Sequence, residues 1–248
     1  MEKVYGINPI KIILRQKETG LTKIYVSSGR GGFAAREIID LARQKNIPVE
    51  VRPRQYLDEL TANQNHQGVV GLSRTYSYSD LDTLIANRNK ASKFNLVLIL
   101  DSVVDPQNLG SIIRSAYCMG ANGVIIPSDR AASITATVVK ASAGSVLQIP
   151  VARETNLSQT IKYLKEKGFW VFGAEAREGQ DPREADFNCH VALLLGGEAK
   201  GIRPLLKKQC DFLLSIPMAG KFDSLNVAVA AGIIQYEIFC RRDQENIS

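Results

Sequence analysis

The sequence predicts an α/β protein whose C-terminal part is built on a parallel sheet, with a smaller α/β domain in front of it. Continuous apolar runs recur after residue 94, and an uninterrupted run is typical of a strand buried on both faces. Helical stretches lie between most of these runs, which favours parallel strands joined by crossovers. Residues 75–93 contain no apolar run and are rich in serine, asparagine and charge, so they separate the two parts.

The N-terminal part alternates short strands and helices over residues 1–75, which we interpret as one small domain. A glycine-rich turn at 29–32 leads into its longest helix, and Pro53 suits the first turn of another. We interpret residues 76–93 as a linker that holds one short helix at 81–86. The predicted strands of the domain lie at residues 23–26, 49–51 and 68–72. The predicted helices lie at 33–45 and 53–59, with a further one that runs through Ile10, Ile13 and Leu14.

The C-terminal part, residues 94–248, contains five apolar runs that predict five strands. A last helix follows Ser224, which is placed to cap it, and its residues up to Phe239 are apolar on nearly every face. Such a helix is buried, or it lies against another subunit. The predicted strands lie at 94–100, 123–126, 169–172, 191–195 and 212–216, with further helices at 109–119, 132–143 and 158–167.

Composition excludes several classes of protein. The chain has no apolar run of signal-peptide or membrane-spanning length, so we expect a cytoplasmic protein with no membrane partner. Its four cysteines are scattered and accompanied by only two histidines, a spacing that predicts no metal site.

The net charge of +6 is unevenly spread along the chain. Residues 1–92 hold fourteen basic and nine acidic side chains, whereas the remainder is nearly neutral. Arginine interleaved with tyrosine suits RNA, because guanidinium groups bind phosphates and aromatic rings stack on bases. The same mixture also suits an ordinary exposed surface. The candidate RNA-binding side chains of this part are Arg30, Arg36, Arg52 and Arg54.

Three loops that follow predicted strands carry the polar residues of interest. In the first, Asn108 is placed to cap a helix on which Gly110 and Arg114 lie one turn apart. We expect the glycine to leave space past which the arginine reaches the loop mouth and grips a phosphate. The alternative is a surface arginine on an amphipathic helix.

The second and third loops are rich in glycine. After the strand at 191–195, Gly196, Gly197 and Gly201 surround Glu198, and such glycines let the backbone approach a ligand closely. The alternative is a tight turn with a solvated acid. After the strand at 212–216, Pro217 to Asp223 form a loop that leads to Ser224 and Asn226. Ligands of open α/β sheets bind at such carboxyl ends of strands.

Three segments, NLGSIIRSA, LGGEAKGI and IPMAGKFDSLNVAVA, together resemble the motifs of the SpoU/TrmH RNA ribose 2′-O-methyltransferases, members of the SPOUT class. Their order and spacing agree, and the resemblance covers about residues 94–241. Residues 1–75 resemble the substrate-binding domain that many members carry, through the segments YGIN, QYL and HQGV. The arrangement is most similar to members that methylate guanosine in large-subunit ribosomal RNA.

The resemblance implies a trefoil knot in the catalytic domain, S-adenosylmethionine as cofactor, ribosomal RNA as substrate, and a homodimer whose paired knots complete each site. Members often have a second serine where this chain has Ala228. The implied catalytic residues are Asn108, Arg114, Glu198, Ser224 and Asn226. The implied cofactor-binding residues are Gly196, Gly197, Gly201, Ile216, Met218, Leu225 and Asn226, and Arg114 also joins the RNA-binding set.

Other functions stay open at this stage. The motifs do not separate ribosomal RNA from transfer RNA, or guanosine from adenosine. A non-catalytic RNA-binding or ribosome-assembly protein with this fold is disfavoured, because it would not need all five catalytic residues. A nucleotide-binding enzyme of Rossmann type is disfavoured by the missing GxGxxG pattern.

Overall fold

The structure is a computed structural model that describes residues 2–15, 20–28, 33–73, 76–87, 93–198, 200–220 and 224–243. Its N-terminal sheet has the order β1-β4-β2-β3, with β2 and β3 parallel and β4 antiparallel to both β1 and β2. The elements are β1 (Glu2–Tyr5), α1 (Ile7–Leu14), β2 (Leu21–Ser27), α2 (Phe33–Gln44), β3 (Val49–Arg52), α3 (Arg54–Leu60) and β4 (Val69–Ser73).

The second sheet has six strands, all parallel, in the order β10-β8-β9-β5-β6-β7. It contains the five predicted strands and one more, β7. The elements are α4 (Leu81–Ala86), β5 (Leu96–Asp101), α5 (Pro106–Cys118), β6 (Gly123–Pro127), α6 (Ala136–Ala141), β7 (Val151–Glu154), α7 (Leu157–Glu166), β8 (Phe169–Glu175), β9 (His190–Gly196), α8 (Pro204–Lys207), β10 (Phe212–Ser215) and α9 (Val227–Asp243).

Helices cover both faces of this sheet. Alternate residues of β5 belong to different cores: Leu98 packs with α5, α6 and α9, whereas Val97 and Ile99 pack with α4, α7 and α8. Every residue of β5 is therefore buried, which explains why the strand is apolar without alternation. The parallel α/β class expected from the apolar runs is confirmed.

Two helices have N-caps other than those predicted, and α6 begins at Ala136, four residues after its predicted start. Asp105, not Asn108, caps α5, because its side chain accepts a hydrogen bond from the Gln107 N–H and Pro106 occupies the first helical position. Asn226, not Ser224, caps α9, accepting from the N–H groups of Ala228 (2.9 Å) and Val229 (3.3 Å). Asp105 and Asn108 have side chains of equal length, so position decides at α5: Asp105 directly precedes Pro106, whereas Asn108 lies inside the helix. At α9, Asn226 directly precedes the first helical residue, Val227, whereas Ser224 lies two residues further out.

Residues 76–87, interpreted above as part of a linker, pack against the six-stranded sheet. The predicted helix is present as α4, capped by Asp80, and its Leu84 is fully buried. A Cβ on Gly123 of β6 would come within 2.2 Å of Leu84, so the glycine makes room for the leucine. The Tyr76 hydroxyl donates to the Val146 carbonyl, and burial raises the pKa of this tyrosine above its ordinary value.

Single residues pair with the two outer strands of the sheet. The Ser79 N–H donates to the Val151 carbonyl beside β7. At the other edge, Gln180 pairs with β10: its N–H donates to Leu213, and its carbonyl accepts from the Ser215 N–H. Backbone groups of both edge strands are thereby satisfied by loop residues.

The C-terminal helix is fastened to the start of the sheet by Arg242. Its guanidinium donates to the carbonyl oxygens of Phe94, Asn95, Phe187 and Cys189. Burial lowers the pKa of Arg242 to about 10, so the group is still charged at neutral pH. These bonds fix the direction in which α9 crosses the sheet and hence the position of its N-terminus at the opposite end.

We expect Leu84→Ala to lower the free energy of unfolding by about 2–5 kcal/mol, because it opens a cavity between α4 and β6. Urea denaturation of the full chain measures the change. Leu205→Ala, at a leucine that is 65% exposed, is the control and should change stability by no more than about 0.5 kcal/mol. Equal effects of the two substitutions would show that residues 76–87 do not pack on the sheet in solution.

Candidate functional site

The glycine loop after β9 crosses the end of β5 at very short range. The Gly197 N–H donates to the Asp101 carbonyl at 2.7 Å, and a Cβ on Gly197 would come within 2.2 Å of the Ser102 oxygen. A Cβ on Gly196 would come within 2.0 Å of the Gly201 carbonyl carbon. The expectation that these glycines admit a ligand is therefore incomplete, because Gly196 and Gly197 first admit another stretch of backbone.

A fully buried carboxylate, Asp101, holds the far end of the same loop. It accepts hydrogen bonds from the Arg203 N–H (2.9 Å), from Arg203 Nε (2.7 Å) and from the Ser102 hydroxyl (3.1 Å). Sequence reasoning missed this pair. The available signal was a carboxylate that directly ends an apolar strand, since such a group is buried only when it is paired.

A cavity of about 410 Å³ lies beside this loop, at the carboxyl ends of β8, β9 and β10. Six of the seven residues predicted to bind cofactor line it, and so do two of the predicted catalytic residues, Glu198 and Ser224. Sequence reasoning missed the end of β8, where Glu175 and, just after the strand, Arg177 also line the cavity. The six are Gly196, Gly197, Gly201, Ile216, Met218 and Leu225.

Three of the predicted catalytic residues, one from each motif, form a hydrogen-bonded cluster at the edge of the cavity. The Asn226 amide donates to Asn108 Oδ1 (3.1 Å) and to Glu198 Oε1 (3.0 Å), and the Asn108 amide also donates to Glu198 Oε1. Because Asn226 Oδ1 caps α9, its amide orientation is fixed by the helix. The cluster thereby ties the glycine loop to the N-terminal ends of α5 and α9.

Arg114 lies apart from this cluster. It is exposed, it does not line the cavity, and its guanidinium forms no hydrogen bond or ion pair with any described residue. Gly110 does not clear a path for it, because a Cβ there would come within 2.5 Å of the Ala141 Cβ on α6. Gly110 serves helix packing, and Arg114 points its charge to a different part of the surface.

Helix α9 is buried on one side only. Ala231, Ile234 and Ile238 are in the core, whereas Val229 and Tyr236 are more than half exposed. Helix α5 packs against α9, and its Tyr117 is 47% exposed one turn from Arg114. This apolar face of α9 and α5 is formed by Leu225, Val229, Ile233, Tyr236, Phe239 and Tyr117.

The predicted RNA-binding arginines of the N-terminal part do not share one surface. Arg36 is exposed on α2, which packs on one face of the small sheet, whereas Arg52 and Arg54 lie beside α3 on the other. Arg52 stacks over the Tyr56 ring and forms an ion pair with Glu50. Arg30 lies outside the described residues.

Two kinds of feature are absent from the described residues: a metal-binding group and a membrane-spanning helix. No group of histidine, cysteine and acidic side chains in them could hold a metal ion. None of their helices combines the length and apolar character that crossing a bilayer requires.

Comparison with known proteins gives two family matches. Residues 95–236 match the SpoU rRNA Methylase family. Residues 3–79 match a family described as RNA 2′-O ribose methyltransferase substrate binding.

Individual proteins agree with these matches. The chain is 43% identical over 240 residues to the putative TrmH family tRNA/rRNA methyltransferase YacO of Bacillus subtilis, covering 97% of this chain and 96% of that protein. It superposes on the AdoMet complex of the SpoU methyltransferase AviRb from Streptomyces viridochromogenes with a TM-score of 0.79 and 27% identity, covering 98% and 90% of the two chains. For the AdoMet-bound rRNA methyltransferase of Sinorhizobium meliloti the TM-score is 0.77 and the identity 28%, covering 96% and 86%.

These relatives align with both parts of the chain. The residues that line the cavity all lie within the matched residues 95–236. The chain belongs to the SpoU rRNA methylase family.

Proposed function

We propose that the protein transfers a methyl group from S-adenosylmethionine to the ribose 2′-hydroxyl of a guanosine in large-subunit (23S) ribosomal RNA, in the cytoplasm. The observation that carries the proposal is the cluster of Asn108, Glu198 and Asn226 at the edge of the cavity. Three distant segments of the chain meet there. The match of residues 3–79 to an RNA substrate-binding domain supports RNA as the substrate.

The cavity fits the proposed cofactor. A volume of about 410 Å³ is within the range of small-molecule sites. Ile216, Met218 and Leu225 give it an apolar wall for a purine, and backbone groups at Gly196, Ile216 and Leu225 would hold the adenosine end. Glu198 and Glu175 line it together with Arg177 and Lys200, so groups of both charge signs are present for a ligand that carries a sulfonium, an ammonium and a carboxylate. When bound, the cofactor supplies an electrophilic methyl group on a positively charged sulfur.

The remaining residues act by positioning. Asn108 and Asn226 both donate to Glu198, which holds its carboxylate in one direction along the cavity wall. Ser224, which does not cap α9, presents its hydroxyl at the same cavity. Alignment of a reacting hydroxyl with a methyl donor is worth a large part of the barrier, so fixed side chains matter more here than reactive ones.

Arg114 would act on the RNA. Arginine stays protonated in proteins, so it is a poor base. Its fork of N–H donors suits a phosphate, and its charge stabilises an alkoxide that develops on the ribose oxygen. Arg114 is six residues from Asn108, about 9 Å along the axis of α5. Arg114 therefore does not lie next to the cluster, and it does not line the cavity of its own chain.

We propose that a second copy of the chain brings Arg114 to the cavity. The apolar face of α9 and α5 is exposed in the single chain, and such faces mark interaction sites. A two-fold dimer through this face would bury it and place Arg114 of each chain at the other's cavity. The trefoil knot implied by the resemblance belongs to the same proposal, because the loops at 196–203 and 216–226 would form it.

The proposed activity is tested by transfer of labelled methyl from S-adenosylmethionine to unmodified RNA. Large-subunit ribosomal RNA, small-subunit ribosomal RNA and transfer RNA are offered side by side. We expect label only in large-subunit RNA, at a 2′-O-methylguanosine. Label in transfer RNA alone, or at an adenosine, would keep the chemistry and replace the substrate. Absence of both transfer and cofactor binding would favour the non-catalytic alternative.

Asn226 caps α9 and donates a hydrogen bond to Glu198, and two substitutions separate these roles. Asn226→Asp retains an acceptor for the α9 cap but loses the donor to Glu198 and adds a charge beside it, so cofactor affinity should fall with little loss of stability. Asn226→Ala should lose affinity and also about 1 kcal/mol of stability. Calorimetric titration and thermal melting measure the two effects. Asp80→Ala, which removes the cap of α4, is the control, and an unchanged affinity in both Asn226 variants would contradict the role.

Arg114→Ala should lower turnover by about a hundredfold or more while leaving cofactor affinity nearly unchanged, because the arginine acts on substrate and alkoxide. Single-turnover methyl transfer and calorimetric titration measure these two quantities. Lys162→Ala removes an exposed charge from α7 and serves as the control. Turnover within about tenfold of wild type would exclude a direct role.

Mixing two inactive variants tests whether Arg114 acts across a dimer. If it does, an equal mixture of Arg114→Ala and Asn226→Ala chains, unfolded and refolded together, should regain roughly a quarter of wild-type activity, since half of the dimers then contain one intact site. If Arg114 serves its own chain, no mixed dimer has an intact site. A mixture as inactive as its components would therefore contradict the shared site.

A further inference from the structure

A second cleft opens at the carboxyl ends of β5, β6 and β7, next to the glycine loop but away from the cofactor cavity. Its volume is about 410 Å³. The arginines Arg130 and Arg203 line it, together with Asp129 and the polar residues Asn156 and Ser158 at the start of α7. Neither arginine is among the residues predicted above to be catalytic, cofactor-binding or RNA-binding.

Arg203 presents half of its guanidinium to this cleft. Its backbone N–H and its Nε bind the carboxylate of Asp101, which is fully buried. The side chain is still 44% exposed, and no described residue accepts a hydrogen bond from its two terminal nitrogens. Asp101 therefore fixes the orientation of the guanidinium while its outer donors remain available to a ligand.

Arg130 is carried by a loop that is held from three sides. The Ile134 N–H donates to the Tyr78 hydroxyl (3.1 Å), and Arg153, which stacks over the Tyr78 ring, donates to the Ser128 carbonyl (2.8 Å). The Ala132 N–H donates to the Val103 carbonyl (2.9 Å), which ties the loop to the segment that leads into α5.

Arg130 itself has a left-handed backbone, with φ +58°. This conformation is uncommon for arginine and persists only where the surroundings impose it. The three bonds that hold the loop supply that constraint.

The charges exposed in the cleft favour an anion. Two guanidinium groups face one exposed carboxylate, Asp129, because the charge of Asp101 is buried beneath Arg203. Helix α7 begins at the cleft, so its dipole adds positive potential there. A pair of fixed guanidinium groups is suited to the oxygens of a phosphate.

We propose that this cleft binds a backbone phosphate of the RNA substrate, next to the nucleotide that is methylated. The inference rests on the proposed function and extends it to a second contact on the catalytic domain. Two connections support the location: Arg203 ends the loop that lines the cofactor cavity, and the Ala132 N–H donates to the Val103 carbonyl, which joins the loop of Arg130 to the segment before α5. On this proposal, an RNA strand whose ribose enters the cavity places a neighbouring phosphate in the cleft.

The test measures RNA binding and its dependence on salt. Arg130→Asn removes the charge but suits the left-handed backbone, and Arg130→Asp reverses the charge with the same tolerance. Binding of unmodified large-subunit ribosomal RNA is measured by filter retention at several salt concentrations. Lys208→Gln removes a nearby exposed charge that does not line the cleft and serves as the matched control.

We expect Arg130→Asn to weaken RNA binding severalfold, and to reduce the slope of log affinity against log salt by about 0.7–0.9, the value for one lost phosphate contact. Arg130→Asp should weaken binding further. Affinity for S-adenosylmethionine should be unchanged in both variants, and Lys208→Gln should match wild type.

Two results would overturn the inference. One is wild-type affinity and slope in both Arg130 variants. The other is an equal loss in Lys208→Gln, which would indicate diffuse surface charge instead of a built site. If the wild-type protein transfers no methyl group but its RNA binding still depends on Arg130, the proposed function is overturned and the phosphate site is retained.

Discussion

The close crossing of the glycine loop over the end of β5 is the constraint on which the rest of the site depends. Side chains at positions 196 and 197 would collide with backbone, so only glycine allows the two strands to end side by side with their loops in contact. Asp101 then fixes the loop at both ends, through its carbonyl at Gly197 and its carboxylate at Arg203. Glu198 lies between these two anchors, and Asn108 and Asn226 can bind it because its position is set by the backbone.

The apolar pattern of the sequence was sufficient for most of the fold. Strands buried on both faces read as continuous apolar runs, and five of the six strands in the large sheet were found that way. The sixth, β7, has the sequence Val-Ala-Arg-Glu, and only its first two residues are buried. Helix starts were less predictable, because Asp105 and Asn226 compete with Asn108 and Ser224 for the same free N–H groups. Which residue becomes the cap depends on where the backbone turns into the helix, and a linear pattern does not contain that information.

Motifs predicted the residues of the candidate site, but they did not predict how those residues are arranged. Residues 108, 198 and 226 meet through contacts that span up to 118 positions, and no local pattern encodes such contacts. Asp101 and Arg203 were missed for the same reason, since each is unremarkable until the other is placed beside it. Arg36 and Arg52 appear in one basic segment of the sequence, yet the sheet places them on opposite faces. His66 is buried, where its ring contacts the Asp58 carboxylate and accepts a hydrogen bond from the Gly68 N–H.

The pairing of Ser79 and Gln180 with the outer strands has a consequence for self-association. A parallel sheet with open edges can recruit a strand from another molecule, which leads to aggregates. Here each edge is occupied by a loop residue of the same chain, and Gly179 lies so close to β10 that a Cβ would come within 2.6 Å of its backbone. Strand addition between copies of the protein is thus blocked at these positions of the six-stranded sheet.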